Sequence, residues 1–173
     1  MRWYLLLALP FAAVIVAALQ LTQQPVLWNV TEPGMTVEEV RRALPKAVPA
    51  VEPKQLANGL QLKLVAAGVD NLERAFDAEF YFGADGLQKV RLLPTRPLMA
   101  AAATSEFEAL RHAATLRYGK ERAVAAGPGG GGAVAQARWI AGRVVVTLQL
   151  ERSGAMGFVT MTYATDAVAN RGT

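Results

Sequence analysis

The side chains able to do covalent chemistry are few, and their spacing is poor for it. His112 is the only histidine, and Ser105 and Ser153 are the only serines. Ser105 precedes His112 by seven positions, which along a helix is ~10 Å and beyond the reach of proton transfer. The chain has no cysteine, so thiol nucleophiles, thiolate zinc sites, disulfides and lipid attachment to an N-terminal cysteine are excluded. One histidine among scattered acids does not assemble a metal site. Asp77 and Glu79 fall on one side of a strand pattern, about 7 Å apart at ~3.4 Å per residue. That pair could serve acid–base work, but Arg91 falls opposite Glu79 in the register argued below, and a surface ion pair is the expected use. Gly127-Pro128-Gly129-Gly130-Gly131-Gly132 lacks the Lys-Ser/Thr pair and the strand–turn–helix setting of a phosphate loop, and it reads as a flexible linker. No catalytic set and no cofactor is expected, and the chain is read as not an enzyme.

The elements that carry these residues show most clearly in one hairpin. Phe76, Ala78, Phe80 and Phe82 alternate with Asp77, Glu79 and Tyr81, the period of a strand with one buried face. Ala84-Asp85-Gly86 suits a three-residue loop with glycine in the left-handed position at its end. The register that follows pairs Phe80 with Val90 and Ala78 with Leu92 on the buried face. On the other face it pairs Tyr81 with Lys89 and Glu79 with Arg91, and opposite charges across a ladder are favourable. A further strand is expected at Leu60–Leu64, with Leu60, Leu62 and Leu64 facing one way. Pro45 to Asn58 reads as a loop.

Before these strands, Thr36 and Glu39 form a capping box, and Val37, Val40 and Leu44 make an apolar stripe that Pro45 stops. A second helix is expected from Thr104 or Ser105 to about Arg117, with Phe107, Leu110 and Ala114 inward and Gly119 ending it. Those three positions follow Val37, Val40 and Leu44 by 70 residues each. Three more strands follow: Ala135–Trp139, Val144–Leu150 and Val159–Tyr163. Ala141-Gly142 is the first turn between them, and Arg152 to Gly157 the longer second connection. Trp139, Phe80 and Phe82 belong to the expected core. The repeated order predicts an α+β fold of tandem helix-plus-three-strand units, residues 34–94 and 104–166 of a duplicated domain at 34–166. One antiparallel sheet would carry both helices on one face, and residues 167–173 would be a tail.

Ahead of that domain, Trp3 to Leu19 is uncharged and almost wholly apolar, and ~26 Å as a helix is close to the ~30 Å of a bilayer core. Residues 1–21 are therefore expected to be a hydrophobic helix. An uncleaved single-pass anchor is preferred, with cleavage after Ala18 as the alternative. Arg2 would stay in the cytoplasm, with Trp3, Tyr4 and Trp28 near the membrane interfaces. Residues 22–33 read as a polar connector, and Asn29-Val30-Thr31 matches a short glycosylation pattern of low specificity. The domain would face the periplasm from the bacterial inner membrane. Eighteen Lys and Arg against fourteen Asp and Glu give a net charge of +4, too scattered for a nucleic-acid binder.

Gly34-Met35-Thr36-Val37-Glu38-Glu39-Val40, the strand Phe76-Asp77-Ala78-Glu79-Phe80-Tyr81-Phe82, and Gly86-Leu87-Gln88-Lys89-Val90 together resemble two related folds. These are the bacterial outer-membrane assembly lipoproteins (BamE-like, SmpA/OmlA) and the β-lactamase inhibitor protein. The lipoproteins carry a lipid-attachment cysteine that this chain lacks. The resemblance implies a tandem fold and non-catalytic protein binding. An envelope protein is the expected partner, engaged by the outward sheet face through Tyr81, Arg91, Lys89, Lys63 and Phe158. Gln61, Asp77, Glu79, Thr147 and Gln149 share that face. The alternative is a binder of a lipid or cell-wall fragment in a pocket between helices and sheet.

Overall fold

The computed structural model describes residues 26–122 and 133–169. In chain order the elements are α1 (Val37–Ala43), β1 (Val48–Pro49), β2 (Gln61–Asn71), β3 (Arg74–Gly83), β4 (Gly86–Pro94), β5 (Leu98–Met99), α2 (Ala100–Tyr118), β6 (Ala133–Ala141), β7 (Val144–Ser153), β8 (Met156–Thr165) and α3 (Asp166–Ala169). All eight strands join one antiparallel sheet in the order β1-β2-β3-β4-β8-β7-β6, and β5 pairs with β8 beyond the end of the β4 ladder. Four of the connections between neighbouring strands are two-residue turns, so most of the sheet is built from hairpins. The others are β1–β2, joined by residues 50–60, β5–β8, and β4–β8, where Lys89 to Leu92 pair with Ala164 to Met161.

One face of the sheet holds the main core. Leu64, Ala66, Phe76, Ala78, Phe80, Val90, Leu92, Trp139, Val146, Leu148, Met161 and Tyr163 are buried there. Phe107, Leu110 and Ala114 of α2 cover it, as the spacing of apolar residues on that helix requires. Gly157 sits where α2 crosses β8, and a β-carbon there would run into the side chain of Ala103. A bare backbone at this point lets helix and strand approach closely.

Beneath the end of α2 lies a buried polar group. The Asn71 side-chain oxygen accepts from the Trp28 indole at 3.2 Å and from the Tyr163 hydroxyl at 3.1 Å. Tyr163 in turn lies 3.1 Å from the Tyr118 hydroxyl. This network ties residues 26–31 to β2, β8 and α2. Trp28 is in the core against Phe80, with ring centroids 6.0 Å apart, and not at a membrane interface. The expected polar connector thus contributes core residues from Leu27 onward.

The expected tandem α+β architecture is not what the chain adopts. The fold is predominantly one antiparallel β-sheet with three helices, and its halves are not equivalent units. α2 has nineteen residues and packs along β5 to β8, whereas α1 has seven and meets the sheet only at its margin, with Val40 alone fully buried. A seven-residue helix is about 10 Å long, too short to cover a sheet of this width. The short strands β1 and β5 and the helix α3 also fall outside the expected order. The N-terminal hydrophobic helix and the glycine-rich linker lie outside the described residues. Among the described residues no helix is long and apolar enough to cross a membrane. The anchor over residues 3–21, the signal peptide and the periplasmic location therefore find no support.

Smaller boundaries also move. α2 begins at Ala100, ahead of Thr104 and Ser105, whose hydroxyls donate back to the carbonyls of Ala100 and Ala101. Met99 stands at its N-terminus without a side-chain cap. The β6–β7 and β7–β8 turns are Gly142-Arg143 and Gly154-Ala155, so both strands run further than alternation alone suggested. The capping box of α1 is present, with the Thr36 hydroxyl accepting from the Glu39 amide and the Glu39 carboxylate accepting from the Thr36 amide at 2.8 Å. These bonds hold the Glu39 carboxyl below its ordinary range.

Candidate functional site on the outer sheet face

The opposite face carries far less cover. Among the described residues only α3 and the loop from Ala50 to Leu60 lie on it, at one end, forming a second apolar cluster of Leu60, Leu62, Tyr81, Ala164 and Val168 with Ala50 and Leu56 at its edge. Through that cluster and past it the register aligns side chains in rows across the strands. One row runs Val65, Glu79, Arg91, Thr162, Thr147, Arg138. The neighbouring row runs Leu62, Tyr81, Lys89, Ala164, Val145, Ile140.

The hairpin register follows the sequence expectation: Phe80 pairs with Val90, Ala78 with Leu92, Tyr81 with Lys89 and Glu79 with Arg91. Gly86 has the expected left-handed φ of +88°, but it pairs with Gly83, so the turn is the two residues Ala84-Asp85, one shorter than the expected loop. Next to the turn the ladder shifts, because Gln88 is an extra residue between Leu87 (opposite Phe82) and Lys89. The turn also receives the chain entering α1: Gly34 N donates to Leu87 O and Leu87 N to Met35 O, each at 2.8 Å.

Glu79 is the centre of the electrostatics. It is 6 % exposed, and burial of a carboxylate is costly unless it is paired. The Tyr81 hydroxyl donates to it at 2.7 Å, the Lys54 ammonium lies at 3.5 Å and the Arg91 guanidinium at 4.0 Å. The expected pair with Arg91 is present, but it is buried on the Glu79 side. Burial, and then the neighbouring Glu79 carboxylate, push the Tyr81 phenol up to about 12. Lys89 stands 5.7 Å from the Tyr81 ring centre. Its ammonium is pushed below its ordinary range by burial first, and next by the charge of Arg91.

The five residues expected to bind are therefore not equivalent. Tyr81 is 1 % exposed, because the Ala50–Leu60 loop and α3 close over it, so it is corrected from a surface anchor to a buried support of Glu79. Lys89 and Arg91 are half-buried and adjacent on β4. Phe158 is half-buried two rows away, opposite Glu151 on β7. Lys63 is exposed at an irregularity of β2, where the register shifts between Leu62 and Leu64. Lys54 was missed, since a proline-containing loop has no period to show where its side chains go. The run Phe80-Tyr81-Phe82 did hold a clue, because consecutive aromatics signal burial on both faces of a strand.

Other openings are lined differently. His112 is exposed on α2 in an open groove of about 1080 Å³ with Glu108, Arg111, Lys120, Glu121 and Arg122. Both acids there are engaged by Arg111, at 3.5 Å to Glu108 and 2.7 Å to Glu121. A cleft of about 320 Å³ lies beside the first turns of α2, lined by Arg74, Phe76, Arg96, Leu98, Glu106 and Leu110 among others. Among the described residues no group of three His, Asp or Glu side chains could hold a metal ion. No family model matches the chain, and no curated protein or solved structure matches it either. What fold and site define is a class: an antiparallel β protein with one sheet face under a helix and the other largely open.

Proposed function

We propose that this protein is a non-catalytic protein-binding module whose partner lies on the outer sheet face. The observation that carries this reading is the row Arg91, Thr162, Thr147: three half-buried polar side chains on adjacent strands, beyond the reach of the Ala50–Leu60 loop. An uncovered sheet face bearing arginine supports this reading, since arginine is enriched at protein interfaces and among their hot spots. The non-catalytic part is supported by the state of Glu79, the only buried carboxylate among the described residues, which Tyr81, Lys54 and Arg91 already occupy. A photo-cross-linker at Gln149 of the full chain, with a second at Glu38 on α1 as control, tests the reading in native cell extract. A partner captured from Gln149 and not from Glu38 is expected. Equal capture, or none, removes it.

The second reading, a binder of a lipid or cell-wall fragment, has one observation in its favour, the 320 Å³ cleft. The main space between α2 and the sheet is filled by Phe107, Leu110 and Ala114, which confines any such ligand to that margin. Protection of Arg74 and Arg96 from chemical modification by a fatty acid, with Arg91 unaffected, would move the assignment there.

A further inference from the structure

Resting on the reading of the outer face as a protein-binding surface, we infer that its partner presents an extended acidic segment, laid across the strands over the row from Arg91 to Arg138. Charge on this face is unevenly placed. Lys89 and Arg91 lie side by side on β4, and Arg138 closes the row on β6, itself engaged by a further contact. The acid within the row, Glu79, is buried and fully used. Asp77 accepts from the Gly68 amide at 3.0 Å, and Glu151 lies two rows away beside Phe158. Arg91 reaches Glu79 at 4.0 Å and also interacts with the Tyr81 hydroxyl, and a guanidinium with five donors keeps others for a partner. Lys89 already feels the repulsion of Arg91, and a carboxylate placed between them relieves it.

Spacing argues for an extended segment. Arg91 and Arg138 are three strand intervals apart along the row, or ~14 Å at ~4.8 Å per interval. Carboxylates four residues apart in an extended chain are also ~14 Å apart, whereas in a helix they rise only ~6 Å. The Thr162 and Thr147 hydroxyls lie between the two arginines, under the residue midway along such a segment. Nucleic acid fits less well, because single strands are held by stacking on aromatic rings. Tyr81 is buried, and Phe158 is two rows from the arginines.

The test uses the full chain and a labelled peptide with glutamate at every fourth position, compared with its glutamine version and with a single-stranded oligonucleotide. Fluorescence anisotropy at low salt should show the glutamate peptide binding at least about tenfold more tightly than either competitor. Arg91→Gln and Thr147→Glu should each weaken it by about tenfold, and Lys46→Glu, on the turn after α1, should leave it unchanged. Thr147→Glu keeps the test sound if Arg91→Gln disturbs Glu79 and lowers the melting temperature. No binding, equal binding of the glutamine peptide, preference for the oligonucleotide, or indifference to both substitutions overturns the inference. A partner cross-linked at Gln149 through a non-acidic segment overturns it while leaving the broader reading intact, and no partner at Gln149 removes the broader reading itself.

Discussion

Tyr81 and Glu79 act as a unit: the phenol supplies the buried carboxylate with its shortest hydrogen bond, and the carboxylate keeps the phenol protonated. Tyr81→Phe should therefore cost about 1–2 kcal/mol in urea unfolding, the penalty for leaving a buried acceptor short of a donor. The pH dependence has a definite sign. A phenol raised from about 10 to about 12 contributes stability that is complete below pH ~10 and is lost as pH rises through ~12. The Tyr81→Phe variant should show a shallower loss of stability over that alkaline window, followed by the unfolding midpoint against pH. Tyr163 is also raised by burial, so the alkaline slope should shrink and not vanish. Thr160 makes the opposite case: its hydroxyl is buried without a partner among the described residues. Thr160→Val should be neutral or stabilising by up to ~1 kcal/mol, and a loss greater than 1 kcal/mol would mean that the hydroxyl has an unseen partner. At this scale the cross-strand pairs were legible from alternation on the two strands, and the extra residue Gln88 makes up for a turn one residue shorter than expected. The burial of Tyr81 was not, because its cover comes from Ala50, Leu56 and Leu60, which follow no period.

Among the elements, the β3–β4 hairpin shows how much a single turn residue carries. Gly86 holds φ +88°, and a β-carbon added there would fall within 2.8 Å of the Met35 carbonyl oxygen. Gly86→Ala should thus combine left-handed strain with displacement of the chain entering α1, and cost at least ~2 kcal/mol. Amide exchange at Leu87, whose N–H is bonded to Met35 O, should rise with it. A loss below ~1 kcal/mol would show that the entry to α1 yields easily. The place of this turn and its left-handed Gly86 could be read from Ala84-Asp85-Gly86, though its length could not. The β2–β3 turn could not, since its central residues are Leu72 and Glu73, at φ 50° and 61°, where Asn and Gly are the usual occupants. Leu72 packs against the core, and that contact offsets the strain in a way no local pattern announces. The start of α2 was obscured for a related reason: Thr104 and Ser105 resemble caps, yet they bond backwards within a helix already under way.

For the whole molecule, β4–β8 is the seam on which cooperativity depends. The meander β2–β3–β4 and the meander β6–β7–β8 share a sheet only through Lys89 to Leu92 against Ala164 to Met161, with α2 and the Asn71 network reinforcing the join. Leu92→Ala, at a fully buried position in that ladder, should cost about 2–5 kcal/mol. Circular dichroism and tryptophan fluorescence should still lose their signals together, since Trp28 and Trp139 stand on opposite sides of the seam. Separate transitions would mean that the halves are independent units. The sequence pattern was informative about strands and hairpins because each is local. It misjudged the balance of the fold, since the width of a sheet, the reach of a seven-residue helix and the cover on a face depend on residues far apart in the chain.

The same seam sets an order in time. Neighbouring strands joined by two-residue turns can meet within microseconds, whereas β4 and β8 must close a loop of about 70 residues before their first bond forms. The rate at which the protein reaches its native state is then governed by the arrival of one meander beside the other. Until that moment each presents the raw edge of β4 or β8, an unpaired strand rich in apolar side chains, to every other unfinished copy in the vicinity.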